Sequence, residues 1–215
     1  MAENKLSLTI LLWNANGITN NTEELKLVLA EENIDIVFIS KSRLFSSSKF
    51  KIFGYDCLQA NHPDDLAHAG AALLISTKIP HSPFHPKSNQ HMQIVATSIN
   101  INSIPTSIAS AYFPPGSPFP VEDLSLFIQT LNHTYIIGAD FNAKHETRSY
   151  RSKNTRGRTL HNFITIKRSE NINCIGIANN ELQNKMLREE LTLEEAIQLY
   201  QAVEEAEINS KLLED

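Results

Sequence analysis

The 215 residues are 41% hydrophobic and 20% charged, which fits one medium-sized globular domain with an adequate core. No apolar run reaches membrane-spanning length, the N-terminus lacks a signal-peptide layout, and two cysteines (Cys57 and Cys174) make neither a disulfide framework nor a metal cluster. The net charge of −5 argues against nucleic acid, but residues 180–215 carry ten of the 24 acidic and three of the 19 basic residues, leaving sixteen basic against fourteen acidic before them.

An intracellular protein, nuclear or cytoplasmic, is therefore expected, with both thiols reduced and inside. Leu6 to Trp13 is a β-rich apolar run and predicts a buried first strand. The turn-forming Asn14-Ala15-Asn16-Gly17 follows, so Asn14 stands at a strand end. Asn21 with Glu24 has capping-box spacing, and Leu25, Val28 and Leu29 give the helix that follows one apolar face, stopped at Asn33. Asp35 to Ser40 predicts a second buried strand that ends at Lys41-Ser42-Arg43.

Residues 44–70 read as irregular, punctuated by Gly54, Pro63 and Gly70. Ala71 to Ser76 predicts another buried strand. Residues 79–92 read as a Pro- and His-rich loop, in which His81, His85 and His91 lack a matching partner set for a metal. Ile94 to Asn100 and Ser107 to Tyr112 pattern as a hairpin, and Val121 to Leu131 as an amphipathic helix.

Tyr135 to Ile137 is a short apolar strand, and Gly138 and Ala139 let the backbone be approached closely. Asp140 and Asn142, two apart on an extended chain, share a face. A carboxylate can exchange a proton or assist a metal, and a carboxamide can hold a phosphate oxygen, so the pair suits phosphate chemistry. An Asx turn is the plainer alternative. A basic run follows, with Arg148, Arg151, Lys153, Arg156 and Arg158 as candidate contacts to a DNA backbone, or as a solvated loop. Thr159 to Arg168 predicts a helix and Asn173 to Ile177 a short strand. Residues 181–213 lack Gly and Pro, and Thr192 with Glu195 has capping-box spacing, so a long helix or helix pair is expected, open to a protein partner.

The stretches LLWNANGI, IDIVFIS, GAALLIS, AYFPPG, IIGADFNAKH and RGRTLHNFI, in this order, resemble the endonuclease/exonuclease/phosphatase superfamily. More narrowly they resemble the apurinic-endonuclease-like domain of jockey-type non-LTR retrotransposons. The resemblance implies an α/β fold: a four-layer sandwich of two packed β-sheets flanked by helices. It implies a domain over residues 1–178, incomplete at its C-terminus, and the change of composition beyond it predicts an acidic helical tail over 179–215. It also implies ancestral Mg²⁺-dependent phosphodiester hydrolysis that nicks target DNA. On this chain Asn14 matches the asparagine that supports metal and phosphate, Tyr112 the phosphate-binding tyrosine, and Asp140 and Asn142 the pair serving leaving-group protonation and phosphate binding.

Two departures set expectations against intact catalysis. Where the family places its metal-binding glutamate, this chain has Lys41. An ammonium supplies no oxygen ligand. Two like unit charges ~4 Å apart cost about 4 kcal/mol at an effective dielectric near 20, and a divalent ion roughly doubles that. The family's closing Ser-Asp-His, which supplies the water-activating base, does not occur in this sequence, and the spacing of His145 and His161 does not argue for that role. The expected function is thus an impaired or inactive Mg²⁺-dependent DNA endonuclease, with a non-catalytic nucleic-acid-binding or protein-interaction module as the alternative.

Overall fold

The computed structural model describes residues 8–116, 118–143, 155–168 and 187–191. Strand β1 (Leu8–Asn14) leads through a 3-10 turn (Ile18–Asn21) into helix α1 (Thr22–Glu31), then β2 (Ile36–Ser40), β3 (Tyr55–Ala60) and β4 (Ala71–Ser76). Two short edge strands follow, β5 (Ser82–Pro83) and β6 (Lys87–Asn89), then the long hairpin of β7 (Met92–Ile101) and β8 (Ile104–Tyr112). Helix α2 (Val121–Ile128), β9 (Thr134–Asp140), helix α3 (Thr155–Arg168) and β10 (Leu187–Leu191) complete the described elements.

The strands form two five-stranded sheets. One has the order β10-β1-β2-β4-β3; in the other, β5-β7-β8-β9, β6 also pairs with β7. β1 and β2 are parallel, as are β8 and β9. Each parallel pair is joined through a helix, α1 or α2, as parallel neighbours require. The pairs are in register at their C-terminal ends, Asn14 with Ser40 and Tyr112 with Asp140.

Alternation along the strands builds the layers. Ile36 and Phe38 of β2 join Leu73, Ile75, Val95, Ile108 and Ile136 between the sheets. Val37 and Ile39, on the other face, pack with Leu25 and Leu29 of α1. In the second sheet Tyr135 and Ile137 pack outward with Leu124, Phe127 and Leu160. Full burial of each such side chain contributes about 1.5–3 kcal/mol. This is the four-layer sandwich expected from the sequence. The close approach expected at Gly138 is to Phe38: a Cβ there would lie 2.5 Å from Phe38 Cγ.

Several expectations are corrected. The stretch 44–70 contains β3, whose half-buried Tyr-Asp-Cys-Leu-Gln-Ala lacks a clean apolar signal. The loop 79–92 contributes β5 and β6, which take up hydrogen-bonding positions beside β7. Asn21 precedes α1 without capping it through its side chain; its Nδ2 donates to Ala15 O and Gly17 O, because the 3-10 turn draws the amide backward. Helix α3 starts at Thr155, ahead of the expected Thr159.

Residues 187–191, expected to be helical, form a strand antiparallel to β1, with Leu8 opposite Leu191 and Leu12 opposite Leu187. Tertiary pairing overrides helix propensity here, because it satisfies the row of backbone groups along the β1 edge. The expected strand 173–177 and the rest of the expected helix lie outside the described residues. Cys57 is a free, half-buried thiol, pushed up to about 12 by burial; Cys174 lies outside the described residues. No described helix is long and apolar enough to cross a membrane.

Candidate functional site

Because both parallel pairs end together, their last residues converge. Two serines fasten the sheets just below. Ser110 Oγ donates to Ile39 O at 3.0 Å and accepts Ile39 N–H at 2.9 Å. Ser40 Oγ donates to Ala111 O at 2.7 Å and accepts the Asp140 N–H at 2.8 Å. Both serines are buried, Ser40 at the end of an apolar strand and Ser110 within the largely apolar run 108–112. Each hydroxyl uses its donor and an acceptor lone pair, so the seam stands in a low-dielectric interior without penalty. Sequence reasoning missed this seam; its one signal is a serine within each of two apolar runs.

Above the seam, Asn14 Nδ2 donates to Asp140 Oδ2 at 2.8 Å. The Asn142 backbone N–H donates to Asp140 Oδ1 at 2.9 Å, and its Nδ2 to Asp140 Oδ2 at 3.3 Å and to Phe113 O at 3.0 Å. Asn142 reaches this position through a φ of +47°, a conformation asparagine tolerates better than most residues. Tyr112 is buried and lies in register with Asp140. The four residues singled out from the sequence, Asn14, Tyr112, Asp140 and Asn142, are thus brought together. The Asx-turn reading also applies, since the Asn142 N–H does bond its neighbour's carboxylate.

Two turns carry cations to the same place. Lys41 and Arg43 follow β2 with positive φ, +53° and +55°. Their loop is held by Gly17 N–H to Lys41 O and Ile18 N–H to Ser42 O, both at 3.0 Å, and by Arg43 Nη2 to Asn16 Oδ1 at 2.9 Å. Arg156, expected in a basic DNA-facing loop, lies instead in the first turn of α3. Its Nη1 donates to Pro114 O at 2.6 Å, and its guanidinium lies 5.8 Å from the Phe119 ring centroid. It is therefore part of the wall of the site, a role that charge patterning did not reveal. Arg158 is exposed on α3. His161 falls on α3, and His145, Arg148, Arg151 and Lys153 lie outside the described residues.

Burial raises the Asp140 carboxyl above its ordinary range; the Asn142 N–H and the charges of Lys41 and Arg156 pull it back only in part. Burial, and then the Asp140 charge, push the Tyr112 phenol up to about 12 against the opposing pull of Arg43, Arg156 and Asn142. Arg156 is itself lowered by burial, which the charges of Asp140 and Tyr112 oppose. Tyr112 is therefore a neutral hydrogen-bond donor at physiological pH, and Asp140 takes up a proton more readily than an exposed carboxylate.

Asn14 Oδ1 is buried without a hydrogen bond, which suits a cation. The remaining chemistry does not. Asp140 already accepts from Asn14 and Asn142 and feels Lys41 and Arg156, and the residue after β2 is an ammonium. Hard cations need several oxygen ligands at close range. These residues do not fit Mg²⁺.

Comparison with known proteins agrees with the fold and the sequence pattern. The family described as endonuclease-reverse transcriptase matches residues 106–203. The RNA-directed DNA polymerase from mobile element jockey of Drosophila melanogaster is 31% identical over 139 residues, 65% of this chain. The chain spans about 15% of the length of that relative. Among solved structures, the endonuclease domain of TRAS1, a telomere-specific non-LTR retrotransposon, superposes with a TM-score of 0.62 at 20% identity, covering 75% of this chain and 72% of that one. The catalytic domain of APE2 from Xenopus laevis gives 0.54 at 15% identity, over 72% of this chain and 67% of that one.

Proposed function

We propose that this chain, an endonuclease/exonuclease/phosphatase-like domain related to the proteins of jockey-type non-LTR retrotransposons, holds nucleic-acid phosphates at its strand ends but is impaired in cleaving them. The observation that carries this reading is the charge balance around one carboxylate: buried Asp140 is acted on by two cations, Lys41 and Arg156. Endonucleases of this superfamily are generally metal-dependent, and Lys41 stands where the resemblance puts the metal's carboxylate.

A phosphodiester carries its charge on two non-bridging oxygens. Lys41 and Arg43 neutralise that charge, neutral Tyr112 donates a hydrogen bond that fixes its orientation, and Asn142 donates another on giving up its long 3.3 Å bond to Asp140. Among the described residues at the strand ends, Asp140 is the group that opposes an anion. Its raised affinity for a proton lessens this opposition, because an anion alongside favours the protonated form, which is a donor. Hydrolysis also needs an activated water. Lys41 supplies no carboxylate to hold a metal that would activate water, and Asp140 is engaged by Asn14 and Asn142 rather than free to act as a base. Binding thus survives where cleavage is lost.

Fluorescence anisotropy with a labelled DNA duplex tests the binding half. The expected result is sequence-independent affinity that falls steeply with salt, with a slope reduced by about one in Lys41→Glu. Salt-insensitive binding, or a Lys41→Glu variant indistinguishable from the parent, would overturn the reading.

A further inference from the structure

Segment 61–70, Asn-His-Pro-Asp-Asp-Leu-Ala-His-Ala-Gly, joins β3 to β4 and was read from the sequence only as irregular. Pro63 fixes φ within a turn closed by the Asp65 N–H on His62 O at 2.9 Å. Asp64 Oδ1 takes the Leu66 N–H at 2.9 Å, and the His68 N–H bonds Leu66 O at 2.9 Å. This winding brings residues 62, 64 and 68 together. His62 Nδ1 lies 2.8 Å from Asp64 Oδ1, and His68 Nε2 lies 3.6 Å from Asp64 Oδ2. The two imidazole centroids are 4.5 Å apart, and one ligand atom from each of the three residues falls within 4.8 Å of the others. His62 Nδ1 is sealed from solvent, with the Asp64 carboxylate as its near neighbour.

We propose that His62, Asp64 and His68 form a zinc-class metal site, separate from the strand-end site around Asp140. Two imidazole nitrogens and a carboxylate oxygen are the donors that a borderline divalent ion prefers, with a fourth position left to water. Mg²⁺ and Ca²⁺, which favour oxygen ligands, are disfavoured by the same set. Ligand bonds of ~2.0–2.2 Å in a tetrahedron place donor atoms roughly 3.4 Å apart, so on loading the widest donor separation, at most 4.8 Å, shrinks while the 2.8 Å between His62 Nδ1 and Asp64 Oδ1 opens.

The frame around the cluster permits that movement. The segment's flanks are pinned: Ser46 donates through its N–H and its hydroxyl to Asp65 Oδ1 at 2.7 and 2.9 Å, the Arg43 N–H bonds Ala69 O at 2.8 Å, the Ser42 N–H bonds Gly70 O at 3.0 Å, and Ser88 Oγ bonds Asn61 O. The ligands themselves are freer, with the Asp64 and His68 side chains 40% and 51% exposed. The ion's role is to staple the segment. Because Ala69 packs with Tyr112, and Ser42 and Arg43 are bonded to the segment's end, stapling stiffens one wall of the strand-end site. Metal binding to the folded state alone also raises thermal stability.

The test is a titration of the full chain with Zn²⁺ alone by calorimetry, alongside Mg²⁺, with Co²⁺ as a spectroscopic probe of four-coordination. The expected result is one Zn²⁺ per chain, visible Co²⁺ bands of tetrahedral intensity, a raised Tm with Zn²⁺ and none with Mg²⁺. His68→Ala and Asp64→Asn should each weaken Zn²⁺ binding by on the order of 10–100-fold or more, with circular dichroism unchanged in the absence of metal. His85→Ala should bind as the parent does. No uptake of Zn²⁺, equal affinity for Mg²⁺, or uptake undiminished in both His68→Ala and Asp64→Asn would each overturn the proposal.

Discussion

Asn14 and Asp140, 126 residues apart, are joined by a 2.8 Å hydrogen bond from the amide Nδ2 to the carboxylate Oδ2, so that the first strand of one sheet is tied to the last strand of the other half of the site. The bond closes over a carboxylate that is already costly to bury. Burial raises the folded-state pKa of Asp140 above its ordinary 3.8. A group shifted in this direction contributes stability that is fully present below the unfolded pKa and lost as pH rises through the folded pKa. Replacing Asp140 by Asn removes that titration. Comparing parent and Asp140→Asn by urea denaturation, the difference in unfolding free energy should move toward the variant as pH climbs from about 3.5 to neutrality, whatever constant offset the altered hydrogen bonds add. Movement in the opposite direction would mean that the bonds from Asn14 and Asn142 outweigh desolvation.

Ser40→Ala tests the seam beneath the site. The variant strands the Asp140 N–H and leaves Ala111 O one donor short in a buried place. Loss of roughly 2 kcal/mol or more is expected. Ser40 does not border solvent, so denaturation midpoints should fall even where DNA affinity is measured at saturating protein. A change below a few tenths of a kcal/mol would show that the hydroxyl is dispensable.

Gly138→Ala should destabilise by about 1–3 kcal/mol, because its new methyl meets the Phe38 ring at 2.5 Å inside a packed core. In the double variant with Phe38→Ala, which removes the Cγ and Cδ2 that the new methyl meets, the losses should be less than additive. Additive losses would place the strain elsewhere.

The pairing of β10 with β1 gives a separate prediction. Amide hydrogen exchange should show protection in Ile10 and Leu12 that falls when Leu187 and Glu189, which stand opposite them, are both replaced by proline, which cannot donate to the ladder. Protection unaffected by those prolines would contradict the register Ile10 to Glu189.

Much of the fold was legible because its central strands are continuous apolar runs: Ile36–Ser40 and Ala71–Ser76 are buried along their whole length. The gathering of Asn14, Tyr112, Asp140 and Asn142 was legible for a related reason. The first three end parallel strands and Asn142 lies just beyond, and such ends share one side of a sheet. What escaped depends on partners far along the chain. Tyr55–Ala60 carries mixed polarity and becomes a strand only beside β4. Residues 187–191 have helical composition and are drafted by an open edge. The inward placement of Arg156 depends on the carbonyls of Phe113 and Pro114, some forty residues away. The meeting of His62 with His68 follows neither helical nor strand spacing; it depends on a proline turn.

The claim that phosphates are held but not cut is tested most directly by a supercoiled-plasmid nicking assay, run at protein concentrations where the plasmid is occupied, with Mg²⁺ and with Mn²⁺. The account predicts that the native chain converts supercoiled to open-circular DNA no faster than an Asp140→Ala control prepared in parallel, although both samples retard the plasmid on a gel at low salt. Metal-dependent nicking by the native chain that disappears in Asp140→Ala would contradict it, and would mean that catalysis proceeds with Lys41 in the place of the metal's carboxylate.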